Sequence, residues 1–267
     1  MSEFSKFPFI SASVFLSLAA GLWTQASEPR SAPGARTPVL VELFTSEGCS
    51  SCPPADAYLR ELDRQTVAGA AIIVLSEHVD YWNHIGWRDP YSARLYSDRQ
   101  SAYASRFGLD SVYTPQMVVD GTSEFTGSDT ALAENAFVKA LHAPKITVQV
   151  SSVSLRPEDI LQAHLETDPL PASFGLREAD VYVAVALDHG ESQVSGGENA
   201  GHTLTHTAVV RSIVKIGTVS LGRNFSRDIE LKLSPGDDSH KLRLIAFVQG
   251  PRQGQVIGAV MKLVSTQ

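Results

Sequence analysis

The chain has 267 residues, 43% of them hydrophobic and 19% charged, a composition that excludes a mainly disordered polypeptide. Its 22 basic and 29 acidic side chains give a formal net charge of −7, which argues against a dedicated nucleic-acid binder, since those carry a basic face. With only two cysteines, a disulfide-dense scaffold and a four-cysteine zinc site are also excluded.

Residues 1–26 read as a secretory signal peptide. Lys6 precedes an apolar, small-residue run from Phe7 to Trp23, and Thr24-Gln25-Ala26 supplies a small-x-small cleavage site. The run is short of the ~20 apolar residues that span a bilayer, so a retained anchor helix is the lesser alternative. Cleavage would remove one acid, Glu3, and one base, Lys6, leaving the net charge unchanged. No later run is long enough to cross a membrane, so no stable span is expected after cleavage. The product is expected to be exported: periplasmic if the source is Gram-negative, otherwise secreted, where disulfides persist. Residues 27–36, rich in Ser, Pro and Gly, read as a flexible tether.

Residues 37–143 alternate between strand and helix signals. Val39–Phe44 suits a buried strand, and Pro53-Pro54 opens a helix to about Arg64, with Leu59 and Leu62 inward. Ala70–Leu75 is a second strand. Asp89 is placed to cap a helix starting at Pro90 and ending before Gly108, with Tyr91, Leu95, Ala102, Tyr103 and Phe107 as its inward stripe. Gln116–Val119 and Ser123–Thr126 flank an Asp120-Gly121 hairpin turn. A last helix, from about Thr130 to Leu141, carries Leu132, Phe137, Val138 and Leu141. The order β-α-β-α-β-β-α implies an open α/β sheet with a parallel pair and an antiparallel extension.

Beyond Pro144 the period changes to two. Ile146–Val150, Val181–Leu187, Ile229–Leu233, Leu242–Leu244 and Val256–Leu263 alternate or run apolar, with Val209–Ile216 and a weaker Ile160–Leu165 between them. Residues 144–267 are therefore expected to form a β-rich, antiparallel, sandwich-like domain, with the boundary near His142–Lys145.

The chemistry concentrates at Cys49-Ser50-Ser51-Cys52, between the first strand and the first helix. Two cysteines separated by two residues close a small disulfide ring that a thiolate can open. A helix N-terminus favours the thiolate through its unpaired N–H groups and positive dipole end. Cys49, nearer the exposed turn, is expected to be the nucleophile, and Cys52 the resolving thiol. An inert stapling disulfide is the bland alternative, though so short a loop staples weakly. Pro53 disfavours helical angles at Cys52, so the helix is expected to begin late, which weakens the dipole effect at Cys49.

A strand, a C-x-x-C, a helix and a later Thr114-Pro115 before an antiparallel strand together resemble the thioredoxin superfamily. The strings Ser46–Asp56, His78-Val79-Asp80-Tyr81-Trp82 and Tyr113–Gln116 look like a secreted thioredoxin-like family of unknown function, and the resemblance extends to Gly197-Glu198-Asn199. It implies that Pro115 is a cis proline packed against the cysteine pair and that the Thr114 backbone pairs with a substrate chain. Gly48, where thioredoxins carry tryptophan, is a departure.

Ser76–Arg88 is expected to be an active-site loop leaving the same sheet edge as the cysteines. On it, His78 is a candidate proton donor or acceptor for a cysteine sulfur, with Asp80 fixing its tautomer. The alternative makes His78 a satisfied strand-end residue, with Trp82 and Trp87 filling a satellite core. Glu47 would either accept a proton or raise the thiol pKa. Farther on, Glu198, His202 and His206 are metal-ligand types, followed by Arg211, but the glycines around them favour a solvated hairpin or an interdomain latch. The alternative is that Gly197-Glu198-Asn199 presents backbone amides toward the cysteines.

These features predict an exported thiol–disulfide oxidoreductase acting on thiol- or disulfide-containing proteins or small thiols with a redox partner. Cys49 and Cys52, with Thr114, Pro115, His78 and Asp80, would form its site. No flavin, nicotinamide or phosphate fingerprint is present, so the cysteine pair itself would be the redox group. A Cu(I) carrier, with His78 or His84 as third ligand, and a non-catalytic binding module are the other classes. The Ser-Ser spacer holds no positive group to stabilise a thiolate, which argues against a strong oxidant.

Overall fold

The computed structural model describes residues 1–2, 36–233 and 241–264. The expected signal peptide (1–26) and tether (27–36) lie outside the described residues except for Met1, Ser2 and Arg36. The first half follows the expected order: β1 (Thr37–Thr45), α1 (Pro53–Arg64), β2 (Ala70–His78), α2 (Arg94–Phe107), β3 (Gln116–Val119), β4 (Ser123–Thr126) and α3 (Thr130–His142). β1 and β2 run parallel in register from Thr37↔Ala70 to Thr45↔His78, while β3 pairs antiparallel with β1. The β3–β4 turn holds Asp120 and Gly121 at φ 50° and 64°, the left-handed angles that Asp and Gly tolerate best.

Among the described residues, the regular elements of the second half are strands apart from one 3-10 turn: β5 (Val148–Arg156), β6 (Ile160–Thr167), β7 (Glu178–Gln193), β8 (Thr203–Ser220), β9 (Phe225–Lys232), β10 (Leu242–Gln249) and β11 (Val256–Val264). These strands pack in two layers, as expected, but the larger layer is not separate from the first half. Four of them extend the first sheet, giving one eight-stranded mixed sheet in the order β11-β10-β7-β8-β2-β1-β3-β4. The junction is narrow: β8 runs parallel to β2 and meets it at Ser76↔Val209. Only β5, β6 and β9 form a second, antiparallel sheet. Its apolar face (Val148, Val150, Leu161, Leu165, Ile229) shares a core with Val181, Val183, Leu244, Ala246 and Val248 of the large sheet. The described residues from Arg36 onward thus form one compact unit.

Two helices bury different faces from those expected. In α2, Leu95 and Ala102 face solvent, and Tyr96, Arg99, Gln100 and Tyr103 turn inward. The reason is electrostatic. The sheet beneath α2 carries two fully buried carboxylates, Glu42 and Glu77, so Arg99 is drawn in to meet them. The helix also starts at Arg94 rather than Pro90, and its C-cap Gly108 sits at φ 71°. In α3, Leu132 and Val138 are exposed, and the buried face is Phe137 with three alanines, Ala133, Ala136 and Ala140, whose small side chains let the helix lie close to the sheet.

Candidate functional site

The β1–α1 loop is where sequence and structure meet. Cys49 and Cys52 are joined in a disulfide. Cys52 is the N-cap of α1 at φ −79°, ψ −36°, so the following proline does not delay the helix: Pro53 and Pro54 take its first turn, where no N–H is needed. The Cys52 carbonyl accepts the amides of Ala55 and Asp56.

Exposure is the main departure from expectation. Ser50 and Ser51 lie on the surface, but Cys49 and Cys52 are both 0% exposed. Cys49 is therefore no more open than Cys52, because other parts of the chain cover the loop. Trp82 sits against Gly48, whose missing side chain would lie 3.0 Å from the Trp82 Cβ. The Trp82 indole donates to Thr114 Oγ1 at 2.8 Å, tying the loop region to the Thr114–Pro115 segment. That peptide bond is cis. Pro115 and Ala55 of α1 face each other across Gly127, where an added Cβ would stand 3.2 and 3.1 Å from theirs. Cys49, Cys52, Thr114 and Pro115 are thus one neighbourhood.

The second half contributes a cover. Asn199 Nδ2 donates to the carbonyls of Glu47 (2.8 Å) and Cys49 (3.0 Å), and the Ser50 amide donates to Glu198 Oε2 at 2.9 Å. It is their side chains, not backbone amides, that grip the cysteine loop. Gly196 makes this possible, since a Cβ there would stand 2.3 Å from the Gly86 carbonyl oxygen.

Beneath the loop lies a buried polar cluster. His78 is fully buried at the end of β2, and its Nδ1 meets Asp89 Oδ2 at 2.7 Å. Asp89 is therefore the orienting carboxylate, and it also accepts from the amides of Glu47 and Tyr91 instead of capping a helix. Burial opposes its charge, but His78 and these amides hold the Asp89 carboxyl below its ordinary pKa. Asp80, the expected partner of His78, instead accepts from Ser97 Oγ of α2 at 2.5 Å, because its loop turns away toward that helix. Trp87 donates to Glu47 Oε2 at 2.8 Å.

His206 comes from β8 and is buried at 1% exposure. Its Nε2 lies 3.3 Å from Glu47 Oε1 and its Nδ1 3.5 Å from Asp56 Oδ1, ion-pair distances without hydrogen-bond geometry. Burial works against its charge, but Asp56 and Glu47 outweigh that and push its pKa up to about 10. The His206 and His78 rings meet edge to face at 4.6 Å. His202 is exposed, bonded to the Asn199 carbonyl, and Glu198 faces Ser50, so the three metal-ligand types do not converge. His84 is exposed and bonds the Tyr81 carbonyl. Among the described residues, no group of three or more His, Cys, Asp or Glu side chains is arranged to hold a metal ion.

A family model described as a protein of unknown function (DUF1223) matches residues 40–249. The chain belongs to the DUF1223 family. No curated protein matches this DUF1223 chain. A crystal structure of a structural-genomics target from Agrobacterium tumefaciens is similar to it, at 23% identity and TM-score 0.65, over 87% of this chain and 97% of that one. HBP35 of Porphyromonas gingivalis is also similar, at 17% identity and TM-score 0.67, over 86% and 77%. These likenesses concern the fold alone.

Of the sequence-predicted residues, Cys49, Cys52, Thr114, Pro115 and His78 lie in this region of the DUF1223 protein, whereas Asp80 is drawn off to α2. The sequence did not assign Asp56, Asp89 or His206 its place: Asp89-Pro90 pointed to a helix cap, and His206 to a metal-ligand type on a hairpin or latch. Asn199 is expected near the cysteines as part of Gly197-Glu198-Asn199, but through backbone amides rather than its side chain.

Proposed function

We propose that the protein is an exported thiol–disulfide oxidoreductase of thioredoxin type, with Cys49–Cys52 as its redox group. The reading rests on one observation: a disulfide closed over two residues at the N-terminus of α1, within one Trp82 side chain of Thr114-Pro115. Export is supported by the leader-like residues 1–26 and by the disulfide, which persists in oxidising compartments. Among the described residues no helix is long and apolar enough to cross a membrane.

The exchange balances simply. A substrate thiolate attacks one sulfur of the pair, the Cys49–Cys52 bond breaks, and a mixed disulfide forms. A second substrate thiolate then displaces the protein sulfur. Two electrons and two protons have passed to the pair, and the substrate leaves as a disulfide. The reverse sequence reduces a substrate. Cys49 is the attacking sulfur of the reduced form, Cys52 resolves the mixed disulfide, and Thr114 and Pro115 line the contact surface. Because both sulfurs are buried, a substrate reaches them only when the cover moves.

Insulin-reduction and disulfide-formation assays on the wild type, Cys49→Ser and Cys52→Ser test this reading. Loss of turnover in both variants is expected, with Cys52→Ser accumulating mixed disulfides through Cys49. Unaltered activity in both would overturn it.

A further inference from the structure

Two carboxylates flank the cysteine pair from opposite sides in sequence. Glu47 precedes Cys49 by two residues. Asp56 lies one helical turn beyond Cys52, its amide bonded to the Cys52 carbonyl at 3.1 Å. Both are buried, and each has one side-chain oxygen with no hydrogen-bond partner, Glu47 Oε1 and Asp56 Oδ1. Those two oxygens face the two ring nitrogens of His206. A buried carboxylate is costly without a compensating charge, and two of them within four residues of the cysteines oppose the formation of a further negative charge there.

We infer that His206 is a positioning residue of the cysteine pair: set between Glu47 and Asp56, it offsets their charge and thereby determines how readily the reduced pair ionises. The inference rests on the oxidoreductase reading for its purpose, though not for its test. Opening the disulfide adds two electrons and two protons, and the attacking form keeps one sulfur as thiolate. A cation between the flanking carboxylates lowers the electrostatic cost of that state. The imidazole's high pKa agrees with this placement.

The other charged or titratable groups around His206 do not replace it. His78 packs on its ring, but its Nδ1 is committed to Asp89. The Tyr91 ring lies 5.9 Å away and has the Arg211 guanidinium 6.0 Å from its own centroid. On α1, Arg60 bonds the Thr205 carbonyl, next to His206 in the chain. The sequence distance explains why no local pattern showed this arrangement: β8 reaches the loop only because it lies beside β2.

The test is the pH dependence of iodoacetamide alkylation of the reduced full chain, with melting temperature and exchange with a small disulfide recorded for each variant. His206→Gln should move the alkylation midpoint up by about one pH unit, since it removes the cation and leaves two anions. Glu47→Gln should move it down by a similar amount, since it removes an anion and leaves His206 paired with Asp56. A purely structural role would lower the melting temperature and leave both midpoints in place. Unmoved midpoints, or shifts of both in the same direction, would overturn the inference. If His206→Gln does not fold, the direction of the Glu47→Gln shift decides. Failure of the oxidoreductase reading is recognised separately, as a wild-type pair that alkylates when reduced but does not exchange with disulfides.

Discussion

Asn199 Nδ2 donates to the Cys49 carbonyl at 3.0 Å, so a residue from the loop between β7 and β8 holds the backbone of the first cysteine. The same amide holds the Glu47 carbonyl, and Asn199 is 7% exposed. A side chain placed this way fixes the cysteine loop and helps close it to solvent.

Asn199→Ala should therefore expose the pair. Two buried acceptors lose their donor, at a cost of about 1–3 kcal/mol in stability. Reduction of the disulfide by dithiothreitol should become several-fold faster, followed by alkylation of quenched samples. An unchanged rate would mean that the cover does not limit access.

Gly196→Ala should act on the same cover from its hinge side. The new methyl would stand 2.3 Å from the Gly86 carbonyl oxygen, a backbone atom with little room to retreat. Separation of the 84–88 and 194–202 segments is expected, with a loss of about 1–3 kcal/mol seen in chemical denaturation. Hydrogen exchange should rise in both segments together.

The carboxylates under α2 make a contrasting pair. Burial, with Glu42 close by, raises the Glu77 pKa well above the ordinary carboxylate range. Neither of its oxygens has a hydrogen-bond partner, and Arg99 Nε is 3.6 Å away. A carboxyl whose folded pKa is raised loses stability as pH climbs above its unfolded value, so Glu77→Gln should be neutral or stabilising at pH ~7. Arg99→Met should instead cost about 3–5 kcal/mol, because it leaves Glu42 buried without its cation. Urea titrations of the two variants against the wild type distinguish these outcomes.

His206 gives stability a pH signature of the same sign, over a higher pH interval. Its pKa of about 10 in the folded chain exceeds the ordinary histidine value. Its contribution is therefore complete below pH ~6.5 and is lost as pH rises toward ~10. The stability gap between wild type and His206→Gln should shrink across that interval. A gap that stays constant would mean that the imidazole is not charged in the native state.

What the sequence by itself determined is what short stretches of chain determine. The 3.6 and 2.0 periods located the helices and strands, Asp120-Gly121 marked a tight turn, and Cys49 with Cys52 marked a short disulfide, because each depends on residues within one turn or one ladder. Local rules also misjudged α2 and Cys52: apolar periodicity took no account of the buried charge that draws Arg99 inward, and the pre-proline bias yielded to the loop. Tertiary structure alone decided that β8 lies beside β2, joining what sequence divided at 143/144 into one sheet. That single pairing, across Ser76 and Val209, carries His206 to Glu47 and Asp56 and Asn199 to the Cys49 carbonyl. Charge balance and solvent exclusion at the cysteines arise between segments some 150 residues apart, and neither can be read from the residues that neighbour them in the chain.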